Sequence, residues 1–318
     1  MIHTNNSFFD SVLVTQNQQI KLPVLEEHKV ELFVKREDLI HPFISGNKFR
    51  KLKYNIKEAK NQQKKTILTF GGAFSNHILA TAVAGNLNGL KTIAIIRGDE
   101  LGRDLEKTLS NNSTLREAKK NGMTFEFVSR EAYRNKTSEE FVNKLKEKFG
   151  DFYTIPEGGT NDFAIKGCEE ILTKEDSKFD YICCAVGTGG TISGLINSAK
   201  KHQKVIGFPA LKGDFLQNEI HQFVRNKENW RLNTDYHFGG YAKYNEDLVS
   251  FINQFKEETT ILLDPIYTGK MVFGIIDLIK KNKFSEQRKI LAIHTGGIQG
   301  IGGFNEKLKK KNQQIIKS

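Results

Sequence analysis

The 318-residue chain has few cysteines, few prolines and no long hydrophobic segment. Its three cysteines, Cys168 and the adjacent Cys183 and Cys184, lack the spacing of disulfide or metal sites and predict reduced core residues of a cytoplasmic protein. Five prolines and no Ser/Pro-rich stretch argue against a flexible linker. Because no apolar run is as long as a bilayer span, and no basic and apolar signal segment follows Met1, neither membrane anchoring nor export is predicted.

Acidic residues are fewer than basic ones, and the formal net charge is +11. The lysines and arginines are scattered, except for a dense run within residues 307–311. Scatter favours solubility over a nucleic-acid footprint, so we expect no nucleic-acid partner. A basic nucleic-acid-binding protein, in which the glycine loops are only turns, is the alternative from another class and predicts steeply salt-dependent binding.

Short β-rich runs alternate with longer segments of helical period, which predicts an α/β fold of open, mostly parallel twisted sheets flanked by helices. Residues 51–159 form a self-contained alternation and predict a small α/β domain, inserted into a large domain made of residues 1–50 and 160–318. The main predicted strands cover residues 66–70, 92–96, 124–128, 181–186, 205–208, 261–263 and 290–293, with a shorter one near Tyr153.

The loop Gly187-Thr188-Gly189-Gly190-Thr191 follows a predicted strand and opens a helix. Glycines let the backbone approach an anion, and the N–H groups of a helix N-terminus add a positive partial charge. A dinucleotide fingerprint would need glycine at Ile192, and a P-loop would need lysine at Leu195, so both nucleotide motifs fail. The loop predicts a site for one phosphate, with a tight turn that binds nothing as the alternative.

Lys48 follows the turn Ser45-Gly46-Asn47 at the predicted start of a helix, where a lysine can form a Schiff base. Taken alone, the pattern favours a solvated surface lysine, because most basic residues are surface charges. In the next loop, Ser75 and Asn76 are good helix N-caps, and their hydroxyl and N–H groups could instead hold a substrate carboxylate. His77 reads as a proton shuttle or as a structural residue and is left without a catalytic role.

Tyr267 lies between a predicted strand and a predicted helix. There it would face the crevice at the carboxyl ends of the strands, where ligands bind in open α/β sheets. The functional interpretation is an acid, base or nucleophile with a lowered phenol pKa, and the alternative is an ordinary half-buried aromatic residue. Tyr241, beside two glycines, raises the same question. Thr295 ends the strand at 290–293, where its hydroxyl can bond a ring nitrogen or merely belong to a turn.

Together these motifs resemble the pyridoxal-phosphate enzymes of the 1-aminocyclopropane-1-carboxylate deaminase and D-cysteine desulfhydrase family, in the expected order from Val34 to about Gly297. The resemblance implies fold type II, which is the tryptophan synthase β-like fold, with pyridoxal 5'-phosphate between a small and a large domain. It also implies a homodimer.

The resemblance further implies a role for each motif. Lys48 would form the Schiff base, Asn76 would bond the 3'-oxygen of the cofactor, and Gly187, Thr188, Gly189, Gly190 and Thr191 would bind its phosphate. Ser75 would bind the substrate carboxylate with help from His77. Tyr267 and Tyr241 would be the active-site tyrosines, although the sequence after Tyr241 departs from the family pattern.

Thr268 and Thr295 resemble the desulfhydrase branch, because true cyclopropane deaminases carry a glutamate and usually a leucine at these positions. The resemblance implies that Thr268 contacts the substrate and that Thr295 contacts the cofactor. A neutral hydroxyl near the pyridine nitrogen supports a milder electron sink than a carboxylate does. The expected reaction is β-elimination from D-cysteine or a β-substituted D-alanine to pyruvate, ammonia and, from D-cysteine, sulfide. Ring opening of 1-aminocyclopropane-1-carboxylate to 2-oxobutanoate and ammonia is the first alternative, and racemisation or elimination on other amino acids is the next.

Overall fold

The computed structural model describes residues 8–10, 14–225 and 228–317. Within this part of the chain, ten strands form one six-stranded and one four-stranded sheet. The strands are β1 (Asn17–Ile20), β2 (Glu31–Lys35), β3 (Thr66–Gly72), β4 (Lys91–Arg97), β5 (Thr124–Val128), β6 (Tyr153–Ile155), β7 (Tyr181–Val186), β8 (Lys204–Pro209), β9 (Trp230–Leu232) and β10 (Lys289–Ile293).

Helices connect most of these strands and cover the sheets. They are α1 (Pro23–Glu27), α2 (Asn47–Asn61), α3 (Asn76–Leu87), α4 (Leu105–Asn111), α5 (Ser113–Lys120), α6 (Arg130–Arg134), α7 (Glu139–Phe149), α8 (Asp162–Glu169), α9 (Gly190–Ser198), α10 (Phe215–His221), α11 (Glu246–Thr259), α12 (Thr268–Lys280) and α13 (Ile301–Lys309). Short 3-10 turns lie at Phe8–Asp10, Glu37–Leu39, Asp99–Gly102, Glu157–Gly159, Lys174–Lys178 and Ile298–Gly300. Over the described ranges, no helix is both long and apolar enough to cross a bilayer.

The smaller sheet has the order β5-β4-β3-β6, and all of its strands are parallel. The central strands β3 and β4 each have five consecutive buried residues, as expected when helices cover both faces of a parallel sheet. Helix α2 packs Leu52 and Ile56 into the core on this sheet. It also contacts α8 so closely that a Cβ on Gly167 would lie 1.9 Å from the carbonyl oxygen of Arg50.

The larger sheet has the order β1-β2-β10-β7-β8-β9, in which only β1 is antiparallel to its neighbour. The α/β fold with two mostly parallel sheets flanked by helices is therefore confirmed. The small sheet lies within residues 51–159, and the large sheet lies outside that range. The exact domain limits at residues 51 and 159 stay a prediction, and α2 crosses the first of them.

One predicted strand was wrong: residues 261–263 form no strand. Ile261 and Leu263 are fully buried, but the carbonyl oxygen of Leu262 accepts a hydrogen bond from Nε2 of the His294 side chain at 2.8 Å. A buried extended loop and a buried strand have the same short apolar pattern, so periodicity could not separate them. Three further strands, β1, β2 and β9, were not predicted, and β1 is a polar edge strand.

Candidate active site

A cavity lies where loops from the two sheets converge. The loops follow β3, β7 and β10, in keeping with the rule that ligands bind beyond the carboxyl ends of parallel strands. Most of the residues predicted from sequence line this cavity, together with Lys51: Lys48, Ser75, Asn76, His77, Gly187, Thr188, Gly189, Thr191, Tyr241, Tyr267 and Thr295.

The turn before Lys48 interlocks with the turn after β10. Gly46 has φ +57°, and a Cβ there would lie 2.1 Å from the carbonyl oxygen of Thr295, so only glycine fits. A Cβ on Gly296 would lie equally close, 2.1 Å, to Oγ of Ser45. The backbone N–H of Asn47 donates to the Thr295 carbonyl at 3.3 Å. This contact fixes the start of α2 and places Lys48 and Thr295 on the same cavity.

Lys48 is the strongest nucleophile candidate in the cavity. Burial, and next the positive charge of Lys51, lower the pKa of its ammonium to about 7. Within the described residues, its side chain has no hydrogen-bond or ion-pair partner. A substantial fraction of Lys48 is therefore the neutral amine near neutral pH, which is the form that attacks an aldehyde or accepts a proton.

Lys51 is a second cation on the same face of α2, three residues after Lys48. Its Nζ donates to the Gly158 carbonyl at 3.0 Å, to Oγ1 of Thr160 at 3.0 Å and to Oγ1 of Thr188 at 3.4 Å. The side chain is buried, and no carboxylate of the described chain pairs with it. A buried cation with only neutral partners favours an anionic ligand, and its desolvation lowers its own pKa.

The glycine-rich loop, residues 187–191, lies beside Lys51. Gly189 has φ +82° and precedes the first residue of α9, so N–H groups of this helix start face the loop. The Thr191 hydroxyl accepts a hydrogen bond from Nδ2 of Asn47 at 2.9 Å. Gly190 does not line the cavity directly, but a Cβ there would lie 3.1 Å from Nζ of Lys51. Backbone donors and a cation thus converge on one small region.

The loop after β3 caps helix α3 and also leaves side-chain polar groups available to a ligand. Oγ of Ser75 caps α3 by accepting from the N–H of His77 at 3.3 Å, and its own hydroxyl hydrogen remains available. The side-chain amide of Asn76 makes no hydrogen bond within the described chain and lies close to Gly297, where a Cβ would approach its Nδ2 to 3.3 Å. Both residues face the cavity.

His77 is buried and carries an unsatisfied ring nitrogen. The Thr69 hydroxyl donates to the Ile155 carbonyl at 2.8 Å, so the same oxygen accepts from Nε2–H of His77 at 2.8 Å. The protonated Nε2 leaves Nδ1 as an acceptor, and Nδ1 has no partner among the described residues. Burial and the charges of Lys48 and Lys51 hold the pKa of His77 well below its usual value. The ring is therefore neutral, which argues against His77 as a proton shuttle.

The two tyrosines meet beside the glycine-rich loop, where a Cβ on Gly187 would lie 3.2 Å from the Tyr267 ring. Their ring centroids lie 6.3 Å apart in an edge-to-face arrangement, and Tyr241 is 44 % exposed. Tyr241 thus lies in the cavity despite its atypical flanking sequence. Burial, and then the Tyr241 phenol, raise the pKa of Tyr267 well above its ordinary value. The lowered phenol pKa expected for Tyr267 was wrong, because burial disfavours the phenolate.

Thr268 does not line the cavity, so the geometry gives no support to its predicted contact with the substrate. Its hydroxyl donates to Oδ2 of Asp264 at 2.7 Å, and it is fully buried. The Asp264 carboxylate also accepts the backbone N–H groups of Ile266 and Tyr267. Asp264, which the sequence pattern left unassigned, therefore fixes the backbone that presents Tyr267, and Thr268 completes that anchor.

Comparison with known proteins identifies the same chemistry. Residues 11–296 match the family described as "Pyridoxal-phosphate dependent enzyme". A bifunctional D-cysteine desulfhydrase/1-aminocyclopropane-1-carboxylate deaminase of Arabidopsis thaliana mitochondria is 36% identical over 85% of this chain and 73% of its own length. A putative 1-aminocyclopropane-1-carboxylate deaminase of Pyrococcus horikoshii is 31% identical over 90% of each chain.

Among solved structures, an "ACC deaminase homologue" superposes with a TM-score of 0.79 at 30% sequence identity and covers 94% of each chain. A threonine deaminase of Solanum lycopersicum shares the fold with a TM-score of 0.64 at 17% identity. These neighbours confirm fold type II for this chain.

The residues of the cavity fit pyridoxal phosphate. The glycine-rich loop and the Lys51 ammonium suit its phosphate, the Lys48 amine suits its aldehyde, and the free Asn76 amide and Thr295 hydroxyl suit its ring oxygen and nitrogen. The buried Lys51 ammonium, which has only neutral partners, fits the anionic phosphate, and the Asn76 amide, which makes no hydrogen bond within the described chain, fits a polar ring atom. The chain belongs to the pyridoxal-phosphate-dependent enzymes of fold type II, with pyridoxal phosphate as its cofactor.

Proposed function

We propose that this enzyme catalyses β-elimination on D-cysteine or a related β-substituted D-alanine, giving pyruvate, ammonia and, from D-cysteine, sulfide. The observation that carries the proposal is that one cavity holds both a lysine that is readily deprotonated and a tyrosine that stays protonated. Lys48 has a pKa of about 7 and supplies a base, whereas Tyr267 has a raised pKa and supplies a proton donor. Elimination needs a base that removes the Cα proton, and a proton donor beside the β-substituent assists its departure.

The bound cofactor supplies an electron sink for the Cα carbanion. The protein supplies the rest: the Ser75 hydroxyl and the α3 N-terminus hold the substrate carboxylate, and the Lys48 amine accepts the Cα proton. Tyr267 stays protonated and donates to the leaving group, with Tyr241 beside it at the exposed side. Assigning the base to Lys48 removes Tyr267 from that role, since a buried phenol with a raised pKa rarely ionises.

Ring-opening deamination of 1-aminocyclopropane-1-carboxylate is the second candidate. One relative is named for both activities and another for the deaminase alone. Thr295 favours elimination, because a neutral hydroxyl near the ring nitrogen gives a milder electron sink than a carboxylate. The same argument does not extend to Thr268, whose hydroxyl is bonded to Asp264 outside the cavity.

Parallel product assays on the purified holoenzyme test the proposal. Pyruvate and sulfide are expected from D-cysteine, with L-cysteine as the stereochemical control, and little 2-oxobutanoate is expected from the cyclopropane acid. Exclusive formation of 2-oxobutanoate would assign the deaminase activity. A protein that stays colourless with pyridoxal phosphate and binds DNA in a steeply salt-dependent way would overturn the enzyme assignment.

We further propose that the enzyme acts as a homodimer in the cytoplasm. The family resemblance supports the dimer, and three buried free cysteines without disulfides are typical of a reducing compartment. Sedimentation equilibrium of the holoenzyme tests the dimer, and a single species of about 36.1 kDa would contradict it.

A further inference from the structure

The loop that carries Tyr241 has an unusual backbone. Phe238 has φ +53° and Ala242 has φ +55°, and the intervening Gly239 and Gly240 also have positive φ values of +92° and +117°. Residues with a Cβ rarely adopt this left-handed region, so the loop conformation costs free energy and persists only where its surroundings hold it. Hydrogen bonds within the loop and contacts from outside it therefore determine the position of Tyr241.

Lys270 supplies that hold. Its Nζ donates to the carbonyl oxygens of His237 and Gly240, each at 2.9 Å. The side chain is 1% exposed, and no carboxylate of the described residues pairs with it. Burial lowers the pKa of the ammonium to about 8, so it remains mostly protonated, and a full donor, at neutral pH.

The position of this lysine is costly by ordinary criteria. It is the third residue of α12, where the positive end of the helix dipole disfavours a cation. It is also buried with no described carboxylate in direct contact, although the charge of Asp264 acts on it from beyond ion-pair distance, and such burial normally disfavours lysine. Lys270 carries both penalties and donates to two carbonyls of one strained loop. Holding that loop in place explains why a lysine occupies this position.

Helix α12 thus connects both tyrosines. Tyr267 immediately precedes the helix, and its backbone N–H donates to the Asp264 carboxylate. Lys270 lies three residues later and donates to the Gly240 carbonyl, in the turn before Tyr241. We propose that Lys270 is a positioning residue that sets the distance and orientation of Tyr241 relative to Tyr267. The proposal rests on the proposed function, in which these two phenols serve the leaving group.

Replacement by methionine tests the role, because Lys270→Met keeps the length of the side chain and removes the donors. The matched control is Lys280→Met, on the same helix but exposed. We expect Lys270→Met to lower kcat about 10-fold to 100-fold, the effect of a misplaced catalytic group. Cofactor affinity should stay within about two-fold, because the glycine-rich loop and Lys51 are untouched, and a purely structural lysine would not separate these two quantities.

A double-mutant cycle shows whether Lys270 acts through Tyr241. If it does, Lys270→Met combined with Tyr241→Phe loses no more kcat than Tyr241→Phe alone. Losses that multiply would overturn the proposal. Where Lys270→Met yields no folded protein, Lys270→Gln, which keeps one amide donor, takes its place in the same cycle.

A spectroscopic measurement separates this proposal from the proposed function. With fluorotyrosine at the eight tyrosines, the fluorine NMR resonance of Tyr241 is the one missing in Tyr241→Phe. It should shift in the Lys270 variant and stay in place in Lys280→Met. An unshifted resonance in the Lys270 variant overturns the positioning role. A wild-type enzyme inactive on both substrates overturns only the proposed function, since the resonance still reports on Lys270.

Discussion

The two sides of the cavity are held in place in different ways. The cofactor side comprises Lys48, Lys51 and the glycine-rich loop, and it is built from strand ends and helix starts next to each other in the fold. The tyrosine side comprises Tyr241 and Tyr267, which lie on loops fixed by buried polar anchors, Lys270 and Asp264. Rigid junctions position one side, and individual side chains position the other.

The electrostatics of the two sides differ as well. On the cofactor side, burial lowers the pKa values of both lysines, and the charge of Lys51 lowers that of Lys48 further, which favours a neutral amine and an anionic ligand. On the tyrosine side, burial raises the phenol pKa values and preserves proton donors. The same desolvation therefore yields a base on one side and an acid on the other, because it always disfavours the charged form. Variants on the cofactor side should change the affinity for pyridoxal phosphate, and variants on the tyrosine side should change kcat.

The largest separable effect is expected on the tyrosine side. Tyr267→Phe removes the proton donor and keeps the ring, so kcat for elimination should fall about 100-fold to 1,000-fold. The dissociation constant for pyridoxal phosphate should stay unchanged in an absorbance titration. Tyr181→Phe is the control, because that ring packs against Phe284 away from the cavity. A Tyr267→Phe enzyme with normal kcat would contradict the role of Tyr267 as the proton donor.

A smaller effect is expected on the cofactor side. Lys51→Met should weaken pyridoxal phosphate binding by about 10-fold to 100-fold, the range for loss of a charged hydrogen bond worth about 1.5–3 kcal/mol. With saturating cofactor, kcat should change little. Lys53→Met is the matched control, since Lys53 lies on the same helix but pairs with Glu170. If Lys51→Met lowered kcat at saturation and left affinity intact, the division between the two sides would be wrong.

The smallest effect is a pH dependence. The Lys48 amine reacts only when deprotonated, so the rate at which the apoenzyme takes up pyridoxal phosphate should rise with pH and level off above about 7. A lysine with an ordinary pKa would show a rate that still climbs above pH 9. Because the charge of Lys51 lowers the Lys48 pKa, Lys51→Met should move the midpoint to higher pH. A midpoint that moves down, or stays, would contradict this coupling.

Local sequence patterns predicted most of the residues on the cofactor side. The glycine-rich loop and the Ser75-Asn76 cap are contiguous in sequence and need only a strand before them and a helix after them, so their positions were predictable. Lys51 was missed, although its spacing of three from Lys48 on one helix placed it on the same face. Only the structure shows that its partners are neutral oxygens, which is what marks it as an anion site.

The tyrosine side was less predictable, because its geometry depends on contacts between distant residues. Sequence could not show that Thr268 turns to Asp264, or that residues 261–263 run as an unpaired segment whose carbonyl binds His294. Nor could it give the environment of Tyr267, and the sign of its pKa shift was therefore wrong. Burial is a property of the packed molecule, and short motifs do not encode it.

The most direct test of the account asks which lysine holds the cofactor. Borohydride reduction of the holoenzyme followed by peptide mapping should find the pyridoxyl group on Lys48, and Lys48→Ala should lose the absorption band of the bound cofactor. Label on Lys51, or a band that survives in Lys48→Ala, would contradict the assignment of Lys48 as the reactive amine and Lys51 as the anion-binding cation.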